Sequence, residues 1–227
     1  MNQDVRAADG YQTDYYEARS RWLDRRVEAK LLLDLARLSP RARVLDIGCG
    51  DGVLLGQAVA RGAHAVGLEV NQSALKLARD RIPDAWLIAV ARSVDLPFQR
   101  SCFDAVVSQH VLEHLDAAAG ALEAWWRVVR PGGYVTLATP NAAYPDPSHF
   151  ADPDHRRLWT KSELAWALRS AGFEHVHCWT VFPFFGRGRF ARALSVRVGA
   201  SWPRLPAPLG RGRTLIAVAR RPWPSKR

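Results

Sequence analysis

Two groups of residues in this chain have types and spacings that could do chemistry. The first is Asp46-Ile47-Gly48-Cys49-Gly50-Asp51-Gly52, three glycines at alternate positions between carboxylates. A Cβ at those positions would hold the backbone away from a ligand lying across the loop. Two carboxylates there would repel a pyrophosphate and suit a ligand that carries positive charge and no phosphate. The dinucleotide spacing G-x-G-x-x-G would need glycine where Val53 stands, which argues against a nicotinamide oxidoreductase. The second group is His110-Val111-Leu112-Glu113-His114, with His149 and His155 in a later polar stretch. On a helix, positions i, i+3 and i+4 share a face. Histidine can serve as a general base; the plainer alternative is that Glu113 and His114 brace the loop by hydrogen bonds.

Elements that would position these residues follow in order. A lead-in helix is expected over 14–38, from Tyr15, Trp22, Leu23, Val27, Leu31 and Leu35 at a period near 3.6. Strands are expected at 43–47, 65–68 (ending at Glu69), 85–90, 103–108 and 134–138, with helices at 53–61, 73–81, 111–115 and 117–130. Pro131-Gly132-Gly133 reads as a turn. Thr160 and Glu163 have the spacing of a capping box opening a helix to Ala171. Strands at 173–182 and 214–219 close the chain. The alternation predicts an α/β fold, a mainly parallel sheet with helices on both faces. The expected organisation is a lead-in helix in 1–40, a core in 41–182 with a lid at 139–160, a basic Arg/Pro/aromatic insertion in 183–213, and a final strand and basic tail in 214–227.

The bulk numbers set limits. The chain has 227 residues, 48% hydrophobic and 24% charged, in the range of a globular protein with a real core. No apolar run approaches the roughly 20 residues that span a bilayer, and the first residues are too polar for a secretory signal. Three cysteines without CxxC spacing argue for a reducing compartment, with no disulfide frame and no zinc-thiolate site. The expected location is cytoplasmic, with peripheral membrane attachment as an extension. The net charge is +10, and residues 181–227 hold 11 Lys and Arg with no Asp or Glu. Such a region suits a solvated face, an anionic membrane, an anionic acceptor or RNA. Phe182, Phe184, Phe185, Phe190 and Trp202 interleaved with arginine favour an interfacial membrane contact over RNA.

Taken in order, VLDIGCGDG (44–52), Glu69, DLPF (95–98), FDAVVSQHVLEHL (103–115), RPGGYVTLATPN (130–141) and WT…L…AGF (159–173) resemble the class I S-adenosylmethionine (SAM)-dependent methyltransferases of the small-molecule type. There is some similarity to quinone-pathway O-methyltransferases. The resemblance implies a Rossmann-like seven-stranded sheet with one antiparallel strand from the C-terminal hairpin. It implies SAM at the carboxyl ends of the strands, released as S-adenosylhomocysteine. It assigns Gly48, Gly50 and Gly52 to the methionine part and ribose, Asp46 to the amino end, Glu69 to the ribose hydroxyls, Val70 to the adenine face and Gln109 to the methionine moiety. Many relatives carry an acidic residue near position 92; Arg92 stands here, so Ser93 or a backbone group would read the adenine amine. Quinone-pathway relatives have Glu-x-x-Glu-His binding a magnesium-type ion; His110 breaks that pattern and no metal is expected. His110 and His155 are the candidate catalytic residues. The implied reaction is in-line methyl transfer, at oxygen, to a small-molecule, glycan or lipid-linked acceptor. The alternatives are an RNA methyltransferase gripping through the basic C-terminal region, and a non-catalytic SAM-binding or membrane-associated regulator.

Overall fold

A computed structural model of the protein describes residues 23–89, 96–146, 152–201 and 211–224. Ser93, Arg92, His149 and the aromatic start of the lead-in helix lie outside these. The elements run α1 (Leu23–Leu35), β1 (Arg43–Ile47), α2 (Val53–Val59), β2 (His64–Glu69), α3 (Gln72–Arg81), β3 (Trp86–Ala89), β4 (Phe103–Gln109), α4 (Ala118–Val128), β5 (Val129–Pro140), α5 (Lys161–Ser170), β6 (Glu174–Val181), α6 (Arg189–Ser201) and β7 (Thr214–Arg220). They form one seven-stranded sheet of order β3-β2-β1-β4-β5-β7-β6. β1 pairs in parallel with both β2 and β4, and β7 runs antiparallel to β5 and β6. Strand order reverses between β1 and β4, where an open α/β sheet leaves a crevice at its carboxyl edge.

The strands are near-continuous apolar runs because both faces of the sheet are covered. One face packs Leu45, Val106, Val135 and Leu215 against Leu122 and Trp125 of α4 and Leu164 and Leu168 of α5. The other packs Val44, Val107 and Ile216 against Leu32 of α1, Leu55 of α2, Val196 of α6, and Phe182 just after β6. The capping box forms as expected: Glu163 N–H donates to Thr160 Oγ1 at 3.3 Å, and Thr160 N–H donates to the Glu163 carboxylate at 2.9 Å.

Two local expectations need correction. Pro131-Gly132-Gly133 is part of β5, not a turn before it. The pairing slips between Phe103 and Ala105, so Phe103 faces Val129 and Ala105 faces Tyr134. The extra residues are held because Gly132 N–H donates to Arg221 O and Arg221 N–H to Gly133 O. The helix expected over 111–115 is a single 3-10 turn, Leu112–His114. It stops because the Glu113 carbonyl accepts Arg156 and Arg157 N–H, at 2.8 and 3.1 Å, so it is spent on segment 152–160.

Candidate functional site

The glycine loop leaves β1 at its carboxyl end and is shaped by backbone. Gly48 and Cys49 N–H both donate to Leu68 O, at 2.8 and 2.9 Å, tying the loop to β2. Gly48 has φ +69°, and a Cβ there would sit 2.2 Å from Val111 Cγ2, so this position needs glycine twice over. Gly52 opens α2 at φ +82°, where a Cβ would meet Ile82 at 2.6 Å. Glu69, at the end of β2, gathers the loop: its carboxylate accepts Gly50 N–H at 2.8 Å, Val70 N–H at 2.8 Å and Asn71 N–H at 3.0 Å. A carboxylate has about four lone-pair sites, so acceptor capacity remains.

Asp46 lies beneath this loop with Oδ2 buried and without a hydrogen-bond partner. Burial pushes its carboxyl up to about 8, against the pull of Arg25 and reinforced by the charges of Glu69 and Asp51. Asp51 is held by Arg81 at 2.7 Å and by Arg25 at 3.5 Å.

Past β4 the architecture is built from side chains instead. His110 has φ +57° and bridges two carboxylates: Nε2 meets Glu28 Oε2 at 2.9 Å and Nδ1 meets Glu113 Oε1 at 3.2 Å. Burial disfavours its charge, but Glu28 and Glu113 outweigh burial and raise the imidazole to about 9. Burial would likewise raise both carboxyls; the His110 charge and hydrogen bonds instead hold each at about 2. His110 is therefore an imidazolium at neutral pH with both ring N–H groups engaged, which leaves it no free nitrogen to accept a proton. Thr214 Oγ1 donates to Glu28 at 2.7 Å and Thr139 Oγ1 donates to Glu113 at 3.0 Å. Gln109 Nε2 donates to Glu28 Oε2 at 2.8 Å and Arg25 O at 2.9 Å, so its amide nitrogen faces α1. Asp24 pairs with Arg213 and, at 3.5 Å, with Arg192.

This network floors a cavity of about 610 Å3, walled by Glu28, His114, Tyr144, His155, Arg189 and Arg213 among others. His155 contrasts with His110. Its Nδ1 is buried without a hydrogen-bond partner, and Nε2 stands 3.9 Å from Asp152. Burial lowers its pKa, so the ring is neutral near pH 7. Its ring centroid is 5.0 Å from that of His114, whose Nδ1 lies 3.2 Å from Asp154 O. Donor atoms of Glu113, His114 and His155 lie within 4.8 Å of one another. The sheet brings together the predicted Asp46, Gly48, Gly50, Gly52, Glu69 and Val70 at one loop, and His110 and His155 at the adjoining cavity, with Gln109 buried in the network beneath it. Sequence reasoning missed Asp24, Arg25 and Glu28. The i, i+4 spacing of Asp24 and Glu28 was the available signal, but a charged helix face ordinarily faces water.

Fold and site together define a class of protein. Residues 45–137 match the family described as methyltransferase domain, and this segment is a SAM-dependent methyltransferase domain. It is similar to the ubiquinone biosynthesis O-methyltransferase of Alkalilimnicola ehrlichii, 34% identical over 139 residues, covering 55% of this chain and 56% of that one. The corresponding enzyme of Pseudomonas aeruginosa is 34% identical over 138 residues, with 53% and 58% covered. The chain thus spans little more than half the length of these curated relatives. Among solved structures, Haemonchus contortus phosphoethanolamine N-methyltransferase 2 in complex with SAM superposes with TM-score 0.75 at 15% identity, covering 98% of this chain and 61% of that one. A chain of the complex between the Haloferax volcanii Trm112 methyltransferase activator and a methyltransferase gives TM-score 0.71 at 20% identity, covering 98% and 99%. At these identities the likeness is one of fold.

Proposed function

We propose that the chain transfers the methyl group of SAM to an oxygen of an acceptor seated in the cavity beside His155. The observation that carries this is the pairing of a buried Asp46 carboxyl, with Oδ2 unpartnered, beneath a glycine cradle with a neutral histidine in the adjoining cavity. Asp46 faces the amino end of the donor and Glu69 accepts the ribose hydroxyls with its spare lone pairs. Gly48, Gly50 and Gly52 let the backbone approach the donor, Val70 packs on the adenine face, and Gln109 stays with the methionine moiety. SAM supplies a methyl already activated on a sulfonium, so alignment carries much of the rate. The chain's own part is to hold the acceptor in line and take its proton. His155, a neutral imidazole lining the cavity, is the base assigned to that proton, and segment 139–160 acts as the lid that excludes water. His110 serves as a fixed positive charge that locks α1, β4 and β7 around the floor.

The similarity to O-methyltransferases of ubiquinone biosynthesis supports a hydroxyl acceptor on a small, lipid-linked or glycan-linked molecule. RNA methylation and a non-catalytic role are the rivals. Labelled methyl transfer from SAM into lysate fractions tests them together. Label in a small or lipid-extractable product supports the proposal, label in RNA supports the first rival, and no label with intact SAM binding supports the second. His155→Gln should slow transfer by about a hundredfold or more while leaving SAM affinity unchanged.

The donor group Glu113, His114 and His155 favours a second reading. One carboxylate and two imidazoles suit a divalent ion, which would lower the pKa of a bound hydroxyl. Glu113 already spends both oxygens on His110 and Thr139, so an ion would compete with those bonds. Transfer that survives chelation supports His155 as base; transfer abolished by chelation and restored by a divalent ion supports the metal.

A further inference from the structure

The segment after β6 turns an apolar stripe away from the protein. The body-facing side of α6 is made by Ser195, Val196 and Gly199, all buried. Gly199 lies against the Phe182 ring so closely that a Cβ would sit 2.4 Å from it. At about 100° per residue, Phe190 and Leu194 fall on the opposite side of the helix, with Arg197 the next residue along that stripe. Phe190 is 94% exposed, Leu194 50%, and Phe185 just before the helix 47%. Scattered apolar residues on a surface are ordinary; three large ones on one short segment, two of them aligned on one face, make a patch. Residues 183–213 contain seven arginines and no Asp or Glu; Arg187 is answered by Asp146, and Arg192 and Arg213 by Asp24. Arg189 and Arg197 are exposed, and neither forms an ion pair among the described residues.

We propose that α6 is a docking surface for an anionic lipid bilayer, with Phe190 and Leu194 entering the interfacial layer and Arg189 and Arg197 meeting headgroup phosphates. Charge complementarity selects an anionic surface. The apolar stripe selects lipid over nucleic acid, because contact with RNA phosphates would satisfy the arginines and leave Leu194 in water. The same segment supplies Phe185, Arg187, Arg189 and Arg192 to the cavity wall. Docking through α6 therefore sets the cavity beside the membrane, where an acceptor with a lipid tail can enter it while the tail stays in the bilayer. The docking rests on exposure and charge alone and stands whether or not His155 is the base.

The test is flotation of the full chain with vesicles of phosphatidylcholine alone and of phosphatidylcholine mixed with phosphatidylglycerol. SAM affinity and thermal midpoint are measured on the same samples. The expected result is binding to the anionic vesicles only, weakened by salt. Phe190→Ser with Leu194→Ser should weaken it by about tenfold or more, and Arg197→Gln by about fivefold, with SAM affinity and thermal midpoint unchanged. None of these three side chains touches the cavity or the glycine loop. The proposal is overturned if the wild-type chain ignores anionic vesicles, or if both variants bind vesicles as well as wild type.

Discussion

The two halves of the site are built on different principles. The glycine loop is made of backbone: its shape comes from left-handed glycines, and one carboxylate, Glu69, gathers its amides. The cavity beyond β4 is made of side chains drawn from α1, the turn after β4, the end of β5, segment 152–160 and β7, held by a buried ion network around His110. A loop shaped by backbone needs few particular neighbours. A seat shaped by buried charge needs all of its partners at once, because any one left alone is a desolvated ion.

The sharpest break of this contrast is His110→Ala. It strands Glu28 and Glu113 in the interior, and denaturant unfolding should show a loss of about 3–5 kcal/mol. A loss under about 1 kcal/mol would mean that the network is not what holds the cavity together. Glu69→Gln should act in the opposite manner, lowering SAM affinity by about ten- to a hundredfold in calorimetry through one lost charged acceptor, with the unfolding midpoint moved far less than by His110→Ala. Gly48→Ala probes a place where the halves touch. The left-handed backbone and the clash with Val111 should together remove about 1–3 kcal/mol of stability. Val111→Ala in the same chain should restore the part due to the clash, giving a measurable coupling energy.

The smallest effects are in pH. Asp46 is raised to about 8, so a cationic ligand beside it must displace a proton when it binds below that pH. SAM affinity should climb with pH, by up to about tenfold per unit, and level off near 8. The heat of binding should depend on the buffer, and Asp46→Asn should remove both effects. The ion network responds with the other sign. His110 is raised from 6.5 to about 9, so its contribution is complete below 6.5 and is lost as pH rises through 9. Glu28 and Glu113 are lowered from 4.5 to about 2, so theirs is complete above 4.5 and is lost as pH falls through 2. Thermal unfolding followed against pH should therefore show stability from this cluster greatest between 4.5 and 6.5.

The same contrast explains what could be read from the sequence. The strands, the glycine loop and the capping box at Thr160 are local in chain, so periodicity and spacing reveal them. The 131–133 stretch misled because its proline and glycines are turn residues by propensity, while Arg221, distant in sequence, exchanges backbone hydrogen bonds with them. His110 was legible as a residue of interest, but its role depends on Glu28, 82 positions earlier. Spacing said nothing of that pairing. His155 was likewise legible as a candidate, but its neutral ring follows from burial beside His114, which no motif shows.

The ion network also bears on how this protein can be divided. The stretch that matches the methyltransferase family is 45–137, yet buried groups within it find their partners outside it. Gln109 and His110 are answered by Arg25 and Glu28, Asp51 by Arg25, and Glu113 by Thr139. Glu28 in turn is answered by Thr214, near the far end of the chain. The inherited segment is thus not a module that can be cut out or transplanted. A graft of 45–137 onto another scaffold would cut β1 and β5 short and arrive with unmatched ions in its interior. Any exchange between relatives that keeps the site has to move residues 24–28 and 213–214 along with it.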